Sequence, residues 1–472
     1  MNKGLMCLAL ATAMAAATAT GAYAQKKKLQ KRENYEFTFD LPRYVEELKT
    51  ELTYPLAWGN GPISDFGEWK KAARAKVLEC MMTPPRRAAS FDMKVVGEER
   101  RDGYTARKLM FNVNGYSRVT AYLLVPDGKG PFPAINALHD HGGHLYIGKE
   151  KMIRPFDVDS AVIKDADQWA ANLYEGQYVG DYLARHGYVV FSIDAPMWGE
   201  RGREEGVDRS KYDIIAGNMM MLGRDLSAFM TYDDMSSTDF LATLPEVDKD
   251  RIGCMGCSMG AYRAWMLSAL SDKVRAGAAV CWMTTTDVQM SVKDKKREYG
   301  GFANCIPGLR QYLDYPHIAS LACPKPMLFV NGTKDHLFPI DGVEKSFAIM
   351  HDVWKSQGAD DKLVTEIWQV PHSCGRAIQE RVLRFFDSEL KNGGGNTARL
   401  AGPDAWIHHD TTRRRNTAGH YRQPAVLRRC RWGRPEGGQA TRMRLQSQSG
   451  ISRHKAVTTA QRQSMTTRCL RL

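Results

Sequence analysis

From Met93 onward, short apolar runs alternate with longer amphipathic segments. Three early runs, Lys94 to Val96, Thr105 to Asn112 and Arg118 to Val125, are separated by Asp102-Gly103 and Asn114-Gly115. Such Asp-Gly and Asn-Gly pairs between β-prone runs are hairpin signals, so the three form an antiparallel meander. Six further runs follow at wider spacing: Ala134 to Leu138, Tyr188 to Ile193, Arg251 to Met255, Ala278 to Cys281, Pro326 to Val330 and Val364 to Val370. Strands alternating with helix-length segments predict an α/β architecture, a mostly parallel sheet with helices on both faces. Ligands in such sheets bind at the carboxyl ends of the strands. The connections from Leu145 to Gly180 and from Met197 to Thr238 are long enough to wall a pocket.

The flanks differ from this body. Lys3, the apolar run Gly4 to Ala17 and the small-x-small triplet Ala22-Tyr23-Ala24 read as a secretory leader over residues 1–24, with the mature chain starting at Gln25. The run is shorter than the roughly 20 residues of a spanning helix, which argues against an uncleaved anchor. Residues 25–92 carry helical patches at Pro42 to Leu52 and Trp69 to Met82 and form a helical N-terminal extension to the catalytic domain at 93–392. A helix over Gln379 to Leu390 and the run Gly393-Gly394-Gly395 close that domain, and 393–472 is a basic tail with the composition of unstructured chain.

Charge sharpens the division. The net charge of +13 sits almost wholly in residues 401–472, where 15 Lys and Arg face 3 Asp and Glu, leaving +1 for the rest. The body therefore calls for no nucleic-acid partner. The tail is either a polyanion-binding arm or a non-native extension, and its fourteen arginines beside the single Lys455 favour the second. Of the ten cysteines, seven lie in the body, an odd number that cannot all pair within one chain; Cys254 reads as a buried apolar residue.

A serine hydroxyl is a weak nucleophile, and needs an exposed turn, a neighbouring base and donors for the developing oxyanion. Gly256-Cys257-Ser258-Met259-Gly260 supplies the turn, with apolar Ile252 to Met255 leading in and a helix from Ala261 to Leu270 leading out. Taken alone, Ser258 could be an ordinary helix cap. The strand before and the helix after make it the candidate nucleophile. Asp335 follows the strand Met327 to Val330, and His372 follows Glu366 to Val370. The order Ser258, Asp335, His372 is the one this arrangement requires, with His372 as general base and Asp335 holding its tautomer. The oxyanion hole is expected from the Met259 N–H and, from the turn His139-Asp140-His141-Gly142-Gly143-His144, the His141 N–H. Those histidines also invite a zinc reading, but the His-x-His-x-Asp-His pattern of metallo-β-lactamase-like hydrolases needs an aspartate where Gly143 stands, so no metal is expected.

From about Phe111 to Leu390 the chain resembles the dienelactone-hydrolase-like and acetyl-xylan-esterase-like branch of the α/β hydrolases, on His139 to Gly143, Asp194 to Gly202, Gly256 to Gly260, Asp335 with Pro339, and His372. The resemblance implies an α/β-hydrolase fold with an eight-stranded type of sheet, the triad Ser258, Asp335 and His372, and a pocket-shaping loop at Asp194 to Gly202. It implies a serine esterase without cofactor, acting on a small-molecule or carbohydrate ester and exported to the periplasm or beyond. Trp198, Arg201, Arg203 and Trp282 are the candidate substrate contacts, by stacking on sugars or holding acidic groups. The elbow is also similar to that of glucuronoyl esterases, where an arginine stands in place of Met259; their cysteine bridge would correspond to Cys257–Cys374, and two buried thiols are an equal alternative. A prolyl-oligopeptidase-like peptidase shares the triad order, but residues 25–92 are too few for its propeller.

If the tail is a functional arm, DNA binding by the full chain falls steeply with salt in a filter-binding titration and disappears when residues 396–472 are removed; binding unchanged by the truncation excludes that role.

Overall fold

The computed structural model describes residues 36–38, 41–202, 209–290, 301–391 and 405–406. The chain divides at Thr411/Thr412, and all the described residues lie in the first unit. The expected leader at residues 1–24 and Arg203 lie outside the described residues.

A ten-stranded sheet carries the fold. Its strands are β1 (Lys94–Arg101), β2 (Tyr104–Asn112), β3 (Arg118–Pro126), β4 (Phe132–Leu138), β5 (Val189–Ile193), β6 (Val247–Cys257), β7 (Val274–Val280), β8 (Met327–Gly332) and β9 (Leu363–Trp368), with Ala405–Trp406 at one edge. The meander β1-β2-β3 is antiparallel, and β3 joins β5 in the same sense. From β5 across β4, β6, β7, β8 and β9 every pairing is parallel. The chain crosses over between β4 and β5, so the carboxyl ends of β4 and β6 lie side by side, with Leu138 opposite Gly256.

Burial follows from this topology. The parallel strands β5 and β8 are buried at every residue because helices cover both faces. Strand β1, at the open edge, keeps exposed and half-buried positions, and runs through Arg101 instead of stopping at Val96. The sheet thus exceeds the eight-stranded expectation at both edges. Ala405–Trp406 lies in the stretch expected to lack structure, yet pairs antiparallel with Ile367 and Trp368 and covers an edge that would present unpaired backbone.

The α-helices of six residues or more are α1 (Val45–Thr50), α2 (Phe66–Cys80), α3 (Ser160–Tyr174), α4 (Val179–Arg185), α5 (Arg209–Met221), α6 (Leu226–Leu241), α7 (Met259–Leu270), α8 (Ile340–Ser356) and α9 (Arg376–Phe386). Asp65 caps α2 through the Glu68 N–H at 2.8 Å. One face of α2, with Trp69, Ala73 and Val77, enters the same core cluster as Tyr262, Trp265 and Met266 of α7. At roughly 1.5–3 kcal/mol for each large apolar side chain buried, this contact binds the N-terminal extension firmly to the body.

One buried ion pair links the last parallel strand to the last helix. Arg381 of α9 donates from Nε to Glu366 Oε1 of β9 at 2.7 Å, and Trp368 Nε1 donates to the other carboxylate oxygen at 2.9 Å. Both charged residues are sealed from solvent. Replacing Glu366 with Leu strands the guanidinium in an apolar interior and is expected to lower unfolding free energy by about 3–5 kcal/mol in urea titration. The double variant Glu366→Leu, Arg381→Met should recover most of that loss.

Candidate active site

Ser258 stands between the end of β6 and the first residue of α7 with φ 56° and ψ −125°, in backbone space that a side-chain-bearing residue rarely occupies. The two flanking glycines explain how the turn can be that tight. A Cβ on Gly256 would collide with the backbone of Gly260, and one on Gly260 with the Leu138 carbonyl oxygen. The Ser258 N–H is tied to the Val280 carbonyl of β7 at 2.8 Å. Met259 opens α7, where the first backbone N–H groups have no carbonyl within the helix to accept them and the helix dipole is positive.

Asp335 and His372 come from loops after β8 and β9. The loops are zipped together by Thr333 N–H to the Trp368 carbonyl at 2.8 Å and Lys334 N–H to the Val370 carbonyl at 3.1 Å. His372 Nδ1 meets Asp335 Oδ2 at 2.7 Å, and the other carboxylate oxygen accepts the Leu337 N–H at 2.9 Å. A carboxylate can only accept, so Nδ1 carries the proton and Nε2 is left basic. Phe338 stacks on the imidazole at 6.0 Å. Burial pulls the His372 pKa down, but the Asp335 hydrogen bond and the negative charge around Cys281 and Asp335 outweigh it, and the net shift is upward.

The His139 turn is held by buried charges. Asp140, sealed from solvent, accepts from Tyr174 Oη at 2.7 Å and Trp169 Nε1 at 3.2 Å. Lys151 Nζ, equally buried, donates to the Asp140 carbonyl at 3.1 Å and the His141 carbonyl at 3.0 Å. The Asp140 carbonyl also accepts from His139 Nδ1 at 2.9 Å. Because the peptide is trans, pinning that oxygen on the buried lysine sends the His141 N–H the opposite way. Arg263 of α7 ties the turn to the nucleophile helix: it forms a two-pronged pair with Asp234 of α6 at 2.6 and 2.9 Å and reaches the His139 carbonyl at 3.3 Å.

The Asp194 loop is organised by a second buried lysine. Lys149 Nζ reaches Asp194, Glu150 and Glu200 at 2.8, 2.7 and 2.8 Å. Burial alone would lower the Lys149 pKa, yet the three carboxylates raise it well above the ordinary lysine value. Burial likewise lifts Asp194, to about 6, against the pull of Lys149.

Three of the four candidate substrate contacts lie among the described residues. Trp198 is fully buried and donates from Nε1 to the His141 carbonyl at 3.2 Å, so its indole braces the turn. Arg201 is locked by Asp233 at 2.8 Å and the Asp194 carbonyl at 3.0 Å. Trp282 is 2% exposed and forms part of an aromatic wall between Tyr262 at 5.0 Å and Phe338 at 5.2 Å. The histidines of the turn diverge rather than converge. His139 Nε2 accepts the Ala195 N–H at 2.9 Å, which uses both its ring nitrogens, and His144 pairs with Asp165. Among the described residues two groups could gather around a cation, Cys281 with Asp335 and His372, and Glu150 with Asp194 and Glu200. Lys149 already places its ammonium at the second. Cys257 and Cys374 are both free, buried thiols.

Lys149, Lys151, Asp234 and Arg263 were not read as site residues from sequence. Their charge in polar loops or helices looks like surface, and only tertiary packing reveals their burial.

The sheet order, the crossover and the tight strand-to-helix turn are those of an α/β hydrolase. The chain belongs to the abhydrolase family, whose model matches residues 45–356. It is 29% identical to the hydrolase-family protein YtaP of Bacillus subtilis over 324 residues, which covers 68% of this chain and 100% of that protein. Among solved structures it is similar to a Bacteroides fragilis protein assigned as an acetyl xylan esterase, with a TM-score of 0.56 at 20% identity over 68% of this chain and 80% of the other. It is also similar to a glucuronoyl esterase from Solibacter usitatus, with a TM-score of 0.51 at 14% identity over 71% of this chain and 97% of the other.

With His372 as the general base, the neutral imidazole would be the active form, and kcat/KM is expected to rise with pH through a pKa above the ordinary histidine value of about 6.5. Asp335→Asn leaves burial as the dominant influence, so the rise should move to lower pH while kcat drops by roughly 10³–10⁴-fold. A pH profile whose rising limb does not move in the variant would separate Asp335 from the base.

Proposed function

We propose that the chain is a serine ester hydrolase working through Ser258, His372 and Asp335. His372 Nε2 takes the Ser258 Oγ proton as the oxygen attacks the ester carbonyl, and Asp335 stabilises the imidazolium. The tetrahedral oxyanion is met by the Met259 N–H at the start of α7 and the His141 N–H opposite the Lys151 clamp. Collapse transfers the proton to the leaving alkoxide, which departs as an alcohol. Water, deprotonated by the same histidine, then releases the acid and restores Ser258. The observation that carries this reading is the 2.7 Å His372–Asp335 pair on loops after β8 and β9, together with a serine at positive φ in the strand-to-helix turn after β6.

For the substrate we propose an acylated carbohydrate, supported by the names of the structural neighbours and by the leader-like residues 1–24, which also point to export. No helix among the described residues is long and apolar enough to cross a membrane. Met259 occupies the position of the arginine that resemblance to glucuronoyl esterases would require, which favours acyl-sugar esters over uronate esters.

The full chain is expected to hydrolyse p-nitrophenyl acetate and to release acetate from acetylated xylan, with Ser258→Ala losing at least about 10³-fold in kcat on both. Hydrolysis undiminished in the variant removes Ser258 from the mechanism; cleavage of the phenyl ester alone leaves the esterase but excludes this substrate class.

A further inference from the structure

Most buried polar groups around the nucleophile are partnered within the protein. Among the exceptions, which include Trp265 Nε1 and the Asn331 amide, three fall in one region beside it. Asp225 caps α6 by accepting the Ala228 N–H on Oδ1 at 2.7 Å, while Oδ2 has no hydrogen-bond partner although the residue is only 2% exposed. Burial lifts its pKa to about 6. Nearby, Asn304 Oδ1 and Arg310 Nη2 are also buried without a partner. The rest of the Arg310 head is fixed: Nη1 donates to the Leu313 carbonyl at 2.9 Å, and the guanidinium lies 3.7 Å over the Tyr315 ring.

These groups share one neighbourhood. Tyr262 and Cys305 each feel the charges of both Asp225 and Arg310. Tyr262 lies one helical turn beyond Ser258. Ala303, next to Asn304, packs in the same buried cluster as Met259 and Leu226, the residues after the nucleophile and after Asp225. On the other side, Tyr315 meets Trp282 at 4.9 Å, and Trp282 leads through Phe338 to His372. Asp225 and Asn304 thus adjoin residues packed with Met259, and Arg310 lies on the aromatic wall.

We propose that Asp225, Asn304 and Arg310 form a subsite for sugar hydroxyls on the alcohol half of the ester, an inference that rests on the esterase reading above. The balance of donors and acceptors selects this chemistry. Two unpaired acceptors, Asp225 Oδ2 and Asn304 Oδ1, stand with two unpaired donors, Arg310 Nη2 and, on the same aromatic wall, Trp265 Nε1. A carboxylate ligand offers no hydrogens to the acceptors, and an ammonium offers no lone pair to the guanidinium. Hydroxyl groups do both. A site whose buried polar atoms are satisfied only by ligand hydroxyls discriminates strongly against ligands lacking them.

The test compares acetylated xylotriose, whose alcohol half carries ring hydroxyls, with p-nitrophenyl acetate, whose alcohol half carries none. Asp225→Asn keeps the α6 cap, because asparagine caps as well as aspartate, but turns an amide donor to where the acceptor stood. Arg310→Met keeps the stem over Tyr315 and removes the donor. Asn304→Ala, in a segment outside the named helices, serves as a third variant whose folding depends least on the change. For each, the ratio of kcat/KM on acetylated xylotriose to that on p-nitrophenyl acetate is expected to fall about tenfold or more, carried mainly by KM. An unchanged ratio in all three overturns the subsite while leaving the esterase intact. A wild-type enzyme that cleaves the phenyl ester but not the acetylated sugar overturns it as well, and one that cleaves neither overturns both readings.

Discussion

Backbone packed directly on backbone, where Gly256 of β6 and Gly260 of α7 pass Leu138 of β4, is the constraint from which the rest of this structure follows. No side chain fits at either glycine. The chain between them has to turn within three residues, and Ser258 takes the positive φ that results. Such a conformation costs on the order of 1–3 kcal/mol, and it persists only where the surroundings over-determine it. Here all the residues of α7 are buried, so the helix cannot relax away from the sheet. The same crossing sets β4 and β6 side by side and puts the His139 turn next to the serine. Function and packing are thus one problem at this point.

Around that crossing the protein relies on buried ions where an apolar core would be simpler. Lys149, Lys151 and Arg263 are each almost completely removed from water. Desolvation of such groups costs several kcal/mol per ion, and well-packed hydrophobic substitutes are often as stable. What the ions supply is direction. Lys151 holds two successive carbonyls of the His139 turn, Lys149 gathers three carboxylates from two loops, and Arg263 fastens the turn to the nucleophile helix. Apolar side chains could fill the same volume, but could not fix which way a peptide faces.

This division explains what could be read from the chain alone. The meander, the parallel strands and the elbow are legible because each depends on local spacing: Asp102-Gly103 between alternating runs, or glycines at 256 and 260 around a serine. The placing of Asp335 and His372 on paired strand-end loops is legible because they follow predicted strands in a fixed order. The places of Trp198 and Arg201 are not legible for the opposite reason. Residue type suggests a sugar-binding face, whereas their partners, the His141 carbonyl and Asp233, come from segments distant in sequence. The Glu366–Arg381 lock and the buried lysines were invisible on the same grounds, since a charge in a sequence gives no sign of its burial. The strand at Ala405–Trp406 has no apolar periodicity to announce it, and its place is set by the open edge it covers.

The two sides of the nucleophile now differ in a way that bears on how specificity arises. Toward the His139 turn, carbonyls and charges are mutually satisfied, as a surface that stabilises a transition state demands: its dipoles should not reorganise during reaction. Toward Asp225 the hydrogen-bonding groups are left incomplete, and each unpaired buried group costs the free protein about 1–3 kcal/mol. In the proposed subsite that cost is recovered by a ligand presenting the right donors and acceptors, which would link stability given up in the free protein to selectivity for the bound ester. A site could not place both demands on one set of groups, because a rigid, fully satisfied surface has nothing left to offer a substrate, and an unsatisfied one would rearrange as charge develops. On the proposed reading, separating them across Ser258 would let the chemistry remain general while the neighbouring surface selects the ester.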